Sequence, residues 1–264
     1  RMSHDIRTPI NGIAGMIDII QKNRDDKEKL DDCLRKLRLS TDHLQALVND
    51  VLDVNKISSG KMKLGKEPFD LEELMDEVSA LLDIQIKENG ITHEKHRIDL
   101  RHVKLIGSPL HLRQILINLL SNSIKYNKEN GYIYISCQEF TSEQAGTVMM
   151  EFICRDTGIG MTEDFQKRLF EPFAQEHTGS RTKFSGTGLG MPITKKLIEK
   201  MEGTITFESK KGEGTTFVIR IPFKIDQDAD KDKKQKNIAE KSIKDLKILL
   251  AEDNELNMEI AEFI

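Results

Sequence analysis

The 264-residue chain has no apolar run approaching the roughly 18 residues that cross a bilayer, and no signal peptide opens it. Any membrane anchor is therefore expected only in upstream segments outside it. Basic excess is also missing: 40 lysines and arginines face 44 acids, and a net charge near −4 excludes the positive footprint of a nucleic-acid binder. Cysteine is scarce. Cys33, Cys137 and Cys154 are odd in number and lack metal-ligand spacing, which argues for reduced thiols in a cytosolic compartment. What remains is a mildly acidic, soluble composition, 32% charged and 38% hydrophobic, with room for one large domain or two ordinary ones. The chain begins inside one helical pattern and stops inside an apolar run at Ala261–Ile264, and is read as part of something longer.

The opening stretch MSHDIRTPINGI, Met2 to Ile13, belongs to that first helical pattern. Ile6, Ile10, Ile13, Ile17 and Ile20 recur at spacings of four and three, the stripe of a helix that buries one face. His4 lies off the stripe, and Thr8, four residues on, shares its face. Pro9 has no N–H for the Asp5 carbonyl, so the helix is expected to bend there. A histidine beside a weakened turn is either a reactive group or a solvated surface residue, and this stretch alone does not separate the two.

After a short polar connection, Leu30, Leu34, Leu37, Thr41, Leu44, Val48, Val51, Asn55 and Ser58 trace a heptad seam on a second helix that Gly60 is placed to end. Two such helices form a hairpin too narrow to close a core. A homodimer forming a four-helix bundle is the economical solution.

From Phe69 the pattern mixes helix and strand. Helices are predicted over 71–86, 109–126 and 192–201, a weak strand over 98–106, and strands over 132–137 and 148–154. Strands over 204–209 and 215–222 flank a turn at 210–214, completing an α/β domain with helices against a sheet. Residues 226–245 carry six acids and six lysines with few large apolar side chains, the composition of a linker. Leu246 to Ala251 then reads as a buried strand ending in Glu252 and Asp253, at the ligand-binding edge of a doubly wound sheet.

Asn118, Asn122 and Lys125 share the polar face of the 109–126 helix, while Leu112, Ile115, Leu116, Leu119 and Leu120 face a core. Alone, that polar face could be merely wet. Two glycine-rich loops add to it: 156–161, DTGIGM, follows a strand, and 186–191, GTGLGM, precedes a helix. Glycines permit close backbone approach to a ligand, and N–H groups at a helix start suit phosphate. Either loop by itself is weak evidence; their order after an asparagine helix is far more specific.

On these residues the chain resembles the sensor histidine kinases of two-component signalling, and its second domain the wider set of gyrase, heat-shock chaperone and mismatch-repair ATPases. MSHDIRTPINGI is similar to the family's phospho-acceptor box, LRQILINLLSNSIKYN to its asparagine box, DTGIGM and GTGLGM to its glycine boxes, and FEPF, 170–173, to its phenylalanine box. KILLAEDNELNM resembles the start of a receiver, which implies a hybrid kinase. The resemblance thus implies α plus α/β architecture: a phospho-acceptor hairpin over 1–62, an α/β sandwich ATP-binding domain of the gyrase and histidine-kinase type over 63–225, a linker over 226–245, and a truncated flavodoxin-like receiver start over 246–264.

It also implies roles. His4 would take the γ-phosphoryl group of ATP, Asp5 would orient the ring and accept its proton, and Thr8 would position water for dephosphorylation of a partner. Asn122 would hold Mg²⁺ with Asn118 in support, Lys125 would meet phosphate, and Tyr126 would lie against the nucleotide. Asp156 would read the adenine amine. Gly158 and Gly160 in one loop, and Gly186, Thr187, Gly188, Leu189 and Gly190 in the other, would cradle the nucleotide. Residues 174–185 would form a lid from which Arg181 neutralises charge on the transferred group. Glu252 and Asp253 would form part of a receiver Mg²⁺ site that lacks its phospho-accepting aspartate. Two departures from the family pattern, Ser108 and Met191, are expected to touch no assigned catalytic atom. The expected activity is autophosphorylation followed by transfer to an aspartate of a receiver domain or response regulator. The competing readings are an ATP-binding scaffold or partner phosphatase, and a gyrase-like clamp.

Overall fold

The computed structural model describes residues 2–23, 26–59, 62–98, 100–176 and 187–228. The chain divides after Asp226, and of the second unit, 227–264, only the first two residues are described. The expected strand at Leu246–Ala251 with Glu252 and Asp253 lies outside the described residues, as do Arg181, Gly186 and Gly60.

Helices α1 (Met2–Lys22) and α2 (Lys27–Ser58) form the expected hairpin, and α1 runs continuously through Pro9. The seam inside the hairpin differs from the heptad reading. Cys33 and Leu47 are the buried α2 side chains, and Ser40 faces Gly12 of α1, whereas Leu34 and Val48 are about half exposed. Ile10 and Ile17 of the α1 stripe are likewise 47% and 42% exposed. Two helices in contact cover only a narrow strip of each other, so most of both stripes faces away from the chain's own partner helix.

The remainder is one mixed sheet covered on one face by helices. Its strands are β1 (Glu67–Asp70), β2 (Thr92–Ile98), β3 (Lys104–Gly107), β4 (Tyr132–Thr141), β5 (Thr147–Asp156), β6 (Thr204–Lys210) and β7 (Gly214–Ile225). Their order is β1-β3-β7-β5-β4-β2, with β6 also on β7; only β2 and β4 run parallel. The helices are α3 (Leu71–Glu88), α4 (Pro109–Lys125) and α6 (Gly190–Lys200), with a short α5 (Glu163–Gln166) beside them. Asp70 starts α3 by accepting from the N–H groups of Glu72 and Glu73 at 2.9 and 3.2 Å, and Pro109 sits in the first turn of α4, where its missing N–H costs nothing.

Helix α4 lies at the centre of the layer. Leu112, Ile115 and Leu119 are essentially fully buried in the layer that α4 forms with β5, α3 and α6, each contributing roughly 1.5–3 kcal/mol of transfer free energy. Its opposite, polar side is thereby turned outward under the second glycine loop. The single weak strand expected over 98–106 is instead the end of β2 and a separate β3, and β1 went unread. The sequence of β2, THEKHRI, is nearly all exposed at the sheet edge and shows no alternation of burial that a hydrophobic pattern could report.

Candidate nucleotide site

Between α4, the two glycine loops and the start of β7 lies a cavity of about 310 Å³, at the low end of small-molecule sites. The structure brings Asn118, Asn122, Lys125, Tyr126 and Asp156 together on its walls, with Gly160, Thr187, Gly188 and Gly190 from the loops.

Asp156 ends β5 and is buried. One carboxylate oxygen accepts from the N–H groups of Gly158 at 2.8 Å and Thr215 at 3.2 Å, and the other from the Ser123 hydroxyl at 3.4 Å. Burial pushes its pKa up, while those hydrogen bonds pull the other way. Among the described residues no cation contributes to that balance. Such a carboxylate is fixed in direction and is suited to accept from a neutral donor such as an amine.

The first glycine loop is wedged between α4 and the β6–β7 turn. A Cβ at Gly158 would collide with the Tyr126 carbonyl, and one at Gly160, whose φ is +58°, with that of Lys210. Ile159 donates to the Tyr126 carbonyl at 3.0 Å and accepts from Gly212 at 2.7 Å. The loop's place is thus fixed by backbone contacts that only glycine permits.

Helix α6 begins at Gly190, not at Pro192, and the first turn therefore includes the loop's last glycine and Met191. Leu189 caps it without a side-chain hydrogen bond, so the helix start offers its N–H groups to an anion. Gly188 has a φ of +69°, and its carbonyl accepts from Phe173 at 3.0 Å, tying this loop to the FEPF segment. A Cβ on Gly190 would strike the Asn118 side chain.

The asparagines are held by α6. Asn118 donates to the Thr194 hydroxyl at 2.6 Å, and Asn122 donates to the Met191 sulfur at 3.5 Å. Met191 therefore touches the amide nitrogen of an assigned site residue, though not the oxygen assigned to Mg²⁺; its unbranched thioether reaches across the groove and offers a weak acceptor. With the amide nitrogen so engaged, Asn122 keeps its oxygen for other partners, which fits a hard cation such as Mg²⁺. Among the described residues no group of three or more His, Cys, Asp or Glu forms a metal cage. A cation here would complete its shell with water and phosphate oxygens. Burial depresses the Lys125 pKa, and its ammonium lies 4.9 Å from the centre of the Tyr126 ring.

His4 and Asp5 lie in the first turns of α1, but their side chains are outside the described residues; Thr8 is exposed on the same helix. Sequence reasoning missed Asp50, Ser123 and Thr215. Ser123 follows Asn122 directly, and Thr215 is the register partner of Asp156 across β5 and β7. Ser108, the other departure, bonds the buried His111 ring at 2.6 Å and touches none of the assigned residues.

Residues 1–60 match the His Kinase A (phospho-acceptor) domain, and residues 107–225 match the Histidine kinase-, DNA gyrase B-, and HSP90-like ATPase family. The chain carries the two domains of a histidine kinase. The chain is 34% identical over 263 residues to the Autoinducer 2 sensor kinase/phosphatase LuxQ of Vibrio parahaemolyticus, covering 97% of the chain and 30% of the relative. It spans about a third of the length of the curated relatives it matches. Among solved structures, full-length ShkA in complex with AMPPNP matches with a TM-score of 0.62 at 29% identity, over 85% of this chain and 45% of that chain. The histidine kinase ThkA in complex with the response regulator protein TrrA matches with a TM-score of 0.59 at 28% identity, over 84% of this chain and 60% of that chain.

Proposed function

We propose that the chain binds ATP in this cavity, phosphorylates itself on His4 and passes the phosphoryl group to an aspartate of a receiver domain. The observation that carries this reading is Asp156, buried and oriented by Ser123, Gly158 and Thr215 on one wall of a cavity whose other walls hold two asparagines and an uncapped helix start. A carboxylate in that setting selects adenine, whose exocyclic amine donates, over guanine, whose matching oxygen would repel it. The phosphates would meet the α6 N–H groups and Lys125, with Asn122 and Asn118 toward Mg²⁺. The chemistry Mg²⁺ supplies when bound is neutralisation of phosphate charge.

In the transfer, the bond from the γ-phosphorus to the ADP oxygen breaks and a bond to a ring nitrogen of His4 forms. The attacking nitrogen is the unprotonated one, and the proton on the other ring nitrogen passes to Asp5, which also orients the ring. Neutral imidazole is a competent nucleophile near pH 7, so little activation is required, and catalysis is mostly positioning and charge stabilisation. Arg181 and the 174–185 lid would add to the latter.

The domain limits carried forward are 1–62, 63–225, 226–245 and 246–264, the last a receiver start with Glu252 and Asp253. A second copy of the chain would cover Ile10, Ile17, Leu34, Val48 and Leu52, which are exposed on the hairpin, and give a four-helix bundle. None of the described helices is long and apolar enough to cross a membrane, and an inner-membrane anchor would belong to upstream segments. The ThkA–TrrA complex supports a response regulator as the partner.

Incubation with γ-labelled ATP and Mg²⁺ separates the alternatives. Label retained on the chain, and lost to an added receiver protein, supports the kinase. Bound ATP without label would mark a scaffold, and free phosphate alone a clamp ATPase.

A further inference from the structure

Among the described residues the hairpin contributes one polar side chain to the cavity. Asp50 of α2 accepts from the Thr187 hydroxyl at 2.8 Å, and Thr187 opens the loop that leads into α6. The same hydroxyl accepts from the N–H of Leu189 at 3.1 Å, so its single proton is committed to Asp50. One turn along α2, Asp53 accepts from Gln114 of α4 at 2.8 Å. Val51 and Val54 pack against the core of the α/β layer between these two bonds. The helix is thus fastened to the layer by an apolar strip with a carboxylate bond at either side.

The height of this clasp is set by the hairpin register. Gly12 faces Ser40; stepping eight residues back along α1 and eight forward along α2 brings His4 level with Val48, about half a turn from Asp50. The cavity is therefore held at the level of the phospho-acceptor by a residue that lines the cavity itself.

A carboxylate is an odd group for a polyphosphate to meet. Among the described residues no cation acts on Asp50, and burial together with the nearby Asp53 charge raises its pKa against the pull of the Thr187 bond. The α6 start and Thr187 form the phosphate end of the site on the ATP reading above, on which this inference rests. A triphosphate brings about one more negative charge to that end than a diphosphate, and like charges in a half-buried site repel over several ångströms.

We propose that Asp50 is a nucleotide-state sensor: while it holds Thr187, the cavity accepts a nucleoside diphosphate and opposes the triphosphate, and ATP binding releases α2 from the nucleotide loop. Coupling of this kind is reciprocal, so a clasped hairpin lowers ATP affinity to the same degree that ATP loosens the clasp. After transfer, the diphosphate left behind lets the clasp reform.

The test is the ratio of affinities for a non-hydrolysable ATP analogue and for ADP, each with Mg²⁺, measured by calorimetry on the whole chain. Asp50→Asn removes the charge and keeps an oxygen that accepts from Thr187; it should bind the analogue at least about fivefold more tightly, with ADP changed less than about twofold. Gln114→Leu lies outside the cavity and opens the second bond of the clasp, so it should shift the ratio the same way by a smaller factor. An unchanged ratio in both variants, with both nucleotides still bound, overturns the sensor and leaves the ATP site standing. Weaker analogue binding by Asp50→Asn also overturns it and makes Asp50 a cation ligand. Failure of the unaltered chain to bind either nucleotide overturns sensor and site together.

Discussion

The Asn122 amide nitrogen donates to the sulfur of Met191, 3.5 Å away, so the first turn of α6 holds the side chain that the ATP reading assigns to Mg²⁺. Bonds to thioether sulfur are weak, worth well under the roughly 1.4 kcal/mol that makes a tenfold change in affinity. Met191→Leu, which keeps the volume and loses the acceptor, should therefore alter Mg²⁺-dependent ATP binding by no more than about threefold. Asn122→Ala should abolish the Mg²⁺ dependence. Titrations of nucleotide with and without Mg²⁺ check both, and equal effects of the two variants would remove Asn122 from the site.

Asp156 bears on affinity and stability in opposite senses. Asp156→Ala leaves two backbone donors and a hydroxyl facing a void and takes away the adenine acceptor, so ATP binding should weaken by about tenfold or more. Asp156→Asn keeps the shape and discards the buried charge. Because burial raises the folded-state pKa of this carboxyl above its unfolded value near 3.8, ionisation opposes folding once pH exceeds the folded value. Its stabilising contribution is complete below the unfolded pKa and is lost as pH rises through the folded one. The nucleotide-free Asp156→Asn chain should therefore melt no lower than the parent at pH 7, with any advantage vanishing in acid. Thermal melts across pH 3 to 8 check the sign.

Two glycines should respond oppositely to alanine. At Gly158 a Cβ meets the Tyr126 backbone carbonyl, which cannot swing aside, and a loss of roughly 1–3 kcal/mol is expected. Gly15, inside α1, has nothing within 4 Å of its virtual Cβ, and Gly15→Ala should stabilise by about 0.5–1 kcal/mol through helix propensity. Chemical denaturation of both variants gives the comparison.

Features carried by local pattern were legible in the sequence. The period of Leu112, Ile115, Leu116, Leu119 and Leu120 marked α4, all five are buried, and the same helix turns Asn118, Asn122 and Lys125 into the cavity. The glycine loops announced themselves by composition. What escaped depends on residues far apart in the chain: Asp50 and Thr187 are separated by 137 positions, and Asp50 reads locally as one more charge on a helix surface. The hairpin seam was displaced for a related reason, since Cys33 and Leu47 lie beside Leu34 and Val48 on α2 and sequence spacing does not say which set faces the chain's own partner helix. Strands β1, at the sheet edge, and β3 beside it, four residues each, are too short for a period to show.

The central claim is that His4 takes the γ-phosphoryl group. The most direct measurement labels the parent chain and His4→Gln with γ-labelled ATP, then follows the label in mild acid and mild base. The parent should carry label that survives base and is lost in acid, as a phosphoramidate is, while His4→Gln binds ATP with unchanged affinity and carries none. Label retained on His4→Gln, or base-labile label on the parent, would contradict it.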